Sequence, residues 1–258
     1  MSSIMTQLTI KGLPILGTFG KGIKGSIAFN YGSSCGPDCD RNCPLHVNSI
    51  SPHAKGRDFR CYAYGVERRY DRVSLANKLR RHQVTNRSSL TALARTEYKK
   101  TRKRTKLKVK WFRFSAFGSV PNDPPPEFRP LCEDLEQDKV DVHLPVESWA
   151  KTKRYRKELR GLNIAVRRSC HTIRAFVRAS IHNNPISVVA GTMKQTPRQR
   201  LTKSKVVAKM RSVVTNRKTL VCPAVAAMIL RTGSKTAKCG NCVACADSQI
   251  DIVYPLTK

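Results

Sequence analysis

Between Val140 and Gly191 the chain reads VDVHLPVESWAKTKRYRKELRGLNIAVRRSCHTIRAFVRASIHNNPISVVAG, and the fold class is decided there. VDVHLPV (140–146) reads as a strand, ESWAKTKRYRKEL (147–159) as a helix and NIAVRRS (163–169) as a second strand. A second helix follows in TIRAFVRASI (172–181), where Ile173, Phe176, Val177 and Ile181 share one face with Arg174 and Arg178 off it, and then a third strand in PISVVAG (185–191). Strands alternating with helices of this length predict an α/β fold with a largely parallel sheet, either open or closed into an incomplete barrel.

Working outward, Phe128 to Gln137 reads as a helix behind the turn-rich FGSVPNDPPPEF (117–128), whose Pro124 to Pro126 fit neither a helix interior nor a central strand. KLKVKWFRF (106–114) is predicted as a strand with Leu107, Val109 and Trp111 on one face. Ahead of it a helical stretch, Ser89 to Lys100, runs into a basic tract. Asp71 is placed to cap a helix in which Leu75, Ala76 and Leu79 share a face, and GSIAFNY (25–31) is the best strand of an extended opening region. Towards the other end, KVVAKMRSVV (205–214) puts Val206, Val207, Met210, Val213 and Val214 on one helical stripe. TLVCPA, a short apolar helix AVAAMIL (224–230) and a Cys-rich tail close the chain, and no internal repeat of fixed period is present.

Charge is the outlier of the composition. With 49 Lys and Arg against 17 Asp and Glu, the 258 residues carry a formal net charge of +32, while 40% hydrophobic content is enough for a real core. Self-repulsion on that scale points to a polyanionic partner, nucleic acid first and an acidic membrane surface second. The opening residues have no secretory pattern and no run of about 18 apolar residues occurs, so a cytoplasmic, reducing compartment is expected. Ten cysteines in such a compartment mean metal or catalysis rather than disulfides.

Eight of the ten fall into two sets. Cys35, Cys39 and Cys43 lie on a Gly/Pro loop (SSCGPDCDRNCPLH) followed by Cys61, and Cys222 of VCPA precedes Cys239, Cys242 and Cys245 of CGNCVAC. Gaps of two residues let neighbouring thiolates turn onto one metal or onto adjacent irons, and a remote Cys-Pro is a common fourth ligand of an iron–sulfur cluster. An iron–sulfur centre, 4Fe-4S, is therefore predicted, with an all-thiolate zinc site as the alternative. Cys132 and Cys170 are read as core residues, and His46 and His53 as loop residues.

GSIAFNY, the Cys-Pro-rich loop, Cys61-Tyr62-Ala63, RFSAFGSV (113–120), VCPA and CGNCVAC together resemble the phage gene-product-88 family over most of the chain. The resemblance implies a protein of phages or plasmids in a prokaryotic host, with cysteine-held metal and a barrel-like α/β fold akin to radical-SAM enzymes. The fold expected is thus a partial or distorted (β/α) barrel with Cys-rich metal-binding loops, residues 1–258 forming a single domain. Residues 32–66 would be the first Cys-rich loop, and 219–258 a C-terminal Cys-rich region folding back on the barrel. The chain departs from the family in an extra cysteine and a long insertion before Cys61. Radical-SAM enzymes also use C-x3-C-x2-C, where this chain has a second gap one residue longer and no Gly-Gly-Glu-type element.

The densest basic run, Arg95 to Lys110, supplies Lys99, Lys100, Arg102, Lys103, Arg104, Lys106, Lys108 and Lys110 as candidate phosphate contacts, with Tyr98, Trp111 and Phe112 as flanking aromatics. Further basic groups recur at Lys151 to Arg160, Arg167-Arg168 and Arg198 to Lys209, a dispersion that favours backbone contact over base reading. Phosphate-loop, dinucleotide and H-E-x-x-H motifs are missing. The acidic stretch from Asp123 to Asp141 is read as a helix surface that neutralises part of the basic field. Three function classes remain: a metal-binding basic protein of a mobile element that contacts nucleic acid through phosphates, a radical-SAM-like or nuclease enzyme, and a zinc-stabilised interaction protein.

Overall fold

The computed structural model describes residues 16–18, 26–31, 87–104, 109–115, 119–170, 173–182, 185–190, 203–213, 215–223, 242 and 244–255. Eight strands form one sheet: β1 (Leu16–Thr18), β2 (Ser26–Phe29), β3 (Trp111–Phe114), β4 (Asp141–Val146), β5 (Val166–Cys170), β6 (Ile186–Ala190), β7 (Lys218–Val221) and β8 (Ile250–Pro255). Their spatial order is β1-β2-β3-β4-β5-β6-β8-β7, and β1 alone runs antiparallel to its neighbour. The helices are α1 (Arg87–Arg104), α2 (Phe128–Gln137), α3 (Trp149–Glu158), α4 (Ile173–Ala179) and α5 (Lys203–Arg211). The protein is α/β, with seven parallel strands.

Alternation along the strands shows where the helices lie. Ile27, Phe29, Phe112, Phe114, Val142, Leu144, Val146 and Val166 pack with residues of α1, α2 and α3, and on the same face of β5 Cys170 packs with Phe176 of α4. All five helices therefore cover one face, the arrangement that successive right-handed crossovers in one direction produce. Residues of opposite parity, among them Ala28, Arg113, His143, Arg167, Ser187 and Ile252, form the other face. Among the described residues no helix lies on it, yet Ala28, His143, Arg167, Ser187 and Ile252 are buried.

Local sequence explains the elements that position the sites. α2 buries Phe128, Leu131, Cys132 and Leu135 at helical spacing and begins straight after the triple proline. It ends in a Schellman turn: Val140 N–H donates to Leu135 O at 2.9 Å, Lys139 N–H to Glu136 O at 2.9 Å, and Lys139 takes φ 54°. α3 starts at Ser148, whose hydroxyl accepts from Lys151 N–H at 3.2 Å, and the chain leaves it through Gly161 at φ 90°. Pro145 is tolerated inside β4 because the β3–β4 ladder ends at Arg113↔His143, two residues earlier.

Three expectations change. Val177 and Ile181 are exposed, at 40% and 69%, because α4 ends at Ala179 and its buried row runs through Phe176 and Ala179. Phe112 and Phe114, not Trp111, face the helices, since β3 begins only at Trp111. The C-terminal residues do more than fold back: β8 enters the sheet between β6 and β7. The helices around Asp71 and over 224–230 lie outside the described residues.

Candidate metal centre and nucleic-acid interface

Because β7 and β8 are parallel, the chain after Val221 must return along the sheet before Ile250, and this return carries the second cysteine set. It is fastened by Arg167, which the sequence groups with surface cations but which is wholly buried on the helix-free face of β5. Its Nε donates to Cys245 O (3.0 Å), Nη1 to Ile186 O (3.0 Å) and Ile250 O (2.7 Å), and Nη2 to Ala244 O (3.2 Å) and Asp247 O (2.6 Å). A guanidinium has five N–H donors, and all five are matched by main-chain carbonyls. Burial lowers the Arg167 pKa, and the nearby Tyr254, Cys245, Asp251 and Asp247 act against that.

Beside this staple, Cys222, Ala244 and Ile252 form a small cluster against which Cys242, Cys245 and Tyr254 pack. Cys245 Sγ lies 2.9 Å from Tyr254 Oη. Burial, with Cys245 alongside, pushes the Tyr254 hydroxyl far up, so it stays protonated, and either group can donate in this contact. Three of the four C-terminal cysteines are thus gathered at one edge of β8, while among the described residues no three His, Cys, Asp or Glu side chains stand close enough to hold an ion. Cys239, Cys35, Cys39, Cys43, Cys61, His46 and His53 lie outside the described residues. Cys132 and Cys170 are core thiols, and burial pushes Cys170 up to about 11.

His143 also faces away from the helices. Both ring nitrogens are buried without a partner among the described residues, and burial, followed by the charges of Arg113 and Arg167, holds the imidazole well below its ordinary pKa. It is a neutral ring, with Trp111 edge-on at 6.2 Å between centroids.

The basic residues divide by environment. On α1, Leu90, Ala94 and Tyr98 are buried at i, i+4, i+8, and one flank is engaged by the acidic stretch around α2. Arg95 meets Asp134 (2.5 Å) and Glu127 (3.3 Å), Lys99 meets Asp134 (3.2 Å), and Arg102 pairs with Asp138. Burial works against ionisation of Asp134, but hydrogen bonds from Arg95 and Lys99 outweigh it and hold the carboxyl below its usual range. The acidic stretch therefore neutralises part of the tract, as its composition suggested. Lys100, Lys103 and Lys110 are exposed, Arg104 closes α1, and Lys106 and Lys108 lie outside the described residues.

A larger basic surface lies on α3. A cavity of about 630 Å³ between the end of α3 and the start of β8 is lined by Lys153, Arg156, Lys157, Arg160 and Arg217, with no carboxylate among its lining residues. Lys153, Arg156, Lys157 and Arg160 are exposed, and the first three recur at helical spacing, so they stand about 5–6 Å apart along one flank of α3. Arg217 joins from the start of β7 and is held by Ser248 O. Cations near the end of a helix offset its dipole, which accounts for Arg156 and Lys157. Arg160 lies beyond the helix and Arg217 on another element, so their convergence is a property of the groove. Sequence reasoning marked 151–160 as basic but had no signal for Arg217, or for Arg167 as a buried staple.

Comparison with known proteins found no matching family model, no matching curated protein and no matching solved structure.

Proposed function

We propose that this is a basic, cysteine-metal protein of a mobile genetic element that binds nucleic acid through phosphate contacts. The observation that carries the reading is the carboxylate-free groove of Lys153, Arg156, Lys157, Arg160 and Arg217. Each phosphate neutralised there releases condensed counterions, so binding follows charge and not sequence. The basic tract from Lys99 to Lys110 is proposed as a further set of phosphate contacts.

The fold proposed for this role is a partial (β/α) barrel: seven parallel strands with every described helix on one face and a helix-free face shut off from solvent are what curling of the sheet produces. At its C-terminal edge Cys222, Cys239, Cys242 and Cys245 are the proposed ligands of an iron–sulfur cluster, with zinc as the alternative metal, and Cys35, Cys39, Cys43 and Cys61 of a second centre. What supports this is that Cys222, Cys242 and Cys245, distant or spaced in the chain, belong to one small cluster, although the three thiols do not themselves converge on a common point. The cysteine set, VCPA and RFSAFGSV are also where the chain resembles the gene-product-88 family.

Two experiments test the reading. Replacing Arg156, Lys157 and Arg160 with alanine is expected to weaken binding about equally on unrelated sequences and to make the log–log salt slope shallower by roughly two to three units. Unchanged binding at every salt concentration would move the interface off α3. Protein purified without oxygen is expected to be brown and to bleach on reduction, and colourless protein with stoichiometric zinc would replace the cluster by a structural site.

A further inference from the structure

Trp149, the first residue of α3, is half-buried and carries basic side chains on its ring. Lys153 Nζ lies 5.9 Å from the centre of its ring, and Lys153 lines the groove already described. Arg168 Cζ lies 5.3 Å from the same ring centre and the His182 ring 4.7 Å away, tilted by 43°. Arg168 and His182 line a second cavity of about 450 Å³ with Arg174 and Arg178, and it too has no carboxylate among its described lining residues. The two cations on the indole thus belong to two different pockets, Lys153 to one and Arg168 to the other, which together present eight Lys and Arg side chains. Arg168 Nε, moreover, is buried and has no acceptor among the described residues. Cation–π contact explains a cation on an indole, but not an unmatched guanidinium N–H beside three more basic side chains.

The geometry points to a single-stranded nucleic acid as the ligand of this surface. This rests on the phosphate-binding reading and narrows it to strands with unpaired bases. A duplex presents phosphates to such a track but keeps its bases stacked inside, so a shelf of Trp149 and His182 gains nothing from it. An unpaired base lies on the shelf, the phosphate before it is met from Lys153 and the groove, and the phosphate after it from Arg168, Arg174 and Arg178. Aromatic stacking beside a cationic track is how single strands are held without base reading, so DNA and RNA strands share the chemistry required.

The sequence has two tryptophans, so in a Trp111→Phe background all indole emission comes from Trp149. The full-length protein is titrated with oligothymidylate, oligouridylate and a blunt mixed-sequence duplex at equal phosphate concentration. Quenching that saturates with a single strand and is missing with the duplex supports the inference, and the strand that saturates first identifies DNA or RNA as the source. Trp149→Leu is expected to weaken single-strand binding about tenfold and leave duplex binding unchanged. His182→Ala, at an exposed position, is expected to weaken it by a smaller factor in the same direction, and decides the matter if Trp149→Leu lowers the melting temperature. Equal quenching by the duplex, or single-strand binding with Trp149 emission and both variants unaffected, overturns the inference while the phosphate-binding reading stands. Failure of all three probes to bind at low salt removes both.

Discussion

Replacing Arg167 with methionine keeps most of the volume of a buried side chain and removes all five of its hydrogen bonds. A bond from a charged donor contributes about 1.5–3 kcal/mol net, and the five are not additive because they share one group. Against them stands the cost of burying a cation whose partners are carbonyls, several kcal/mol that methionine does not incur. The balance is a loss of about 3–5 kcal/mol, concentrated where Ala244, Cys245 and Asp247 lose their anchor to β5. Urea unfolding measures the total, and thiol titration of the folded protein locates it: the cysteines of the return segment are expected to react faster while Cys132, on the buried face of α2, does not. Arg167→Lys keeps the charge but supplies three donors, and is expected to fall between wild type and methionine. A loss under about 1 kcal/mol with unchanged thiol reactivity would show that Arg167 does not hold the segment.

Lys139 occupies the left-handed position of the α2 Schellman turn, so Lys139→Gly is expected to stabilise by about 0.5–1 kcal/mol, read as a higher urea midpoint at unchanged slope. Lys151 Nζ is buried against Val120 O (2.8 Å) and Glu147 (3.2 Å), and burial already pushes the Glu147 carboxyl upward. Lys151→Met is therefore expected to cost about 3–5 kcal/mol, and Glu147→Gln in the same chain to recover part of it; equal melting temperatures for wild type and Lys151→Met would refute the buried pair. The lowered pKa of Asp134 means that its ionised form stabilises the fold fully above its unfolded value of 3.8 and loses that contribution as pH falls through the folded value. Asp134→Asn is expected to flatten the decline of stability below about pH 4, and acid titrations of the two proteins that superimpose would count against the α1–α2 ion pairs.

Much of the fold was legible because it rests on local periodicity. α2 occupies Phe128–Gln137 as its pattern requires, and β4, α3, β5, α4 and β6 follow in the order that the stretch from 140 to 191 dictates. Cys132 and Cys170 are core thiols because they fall on buried faces, which spacing shows. The sequence also determined the charge. Where that charge is usable was decided by tertiary structure. Lys99 and Arg102 look free in a basic run, but the turn through Pro124–Pro126 brings Asp134 and Asp138 beside them. Arg167 and Arg168 are neighbours in sequence, yet strand alternation sends one into the helix-free face to hold five carbonyls and the other outward against Trp149. Arg217 joins the α3 groove from about 60 residues away along the chain, a separation over which no local pattern carries information. The same holds for the cysteines: their spacing marks Cys242 and Cys245 as a pair, but only the insertion of β8 between β6 and β7 brings Cys222 and Tyr254 to them, because strand order is set by long-range pairing.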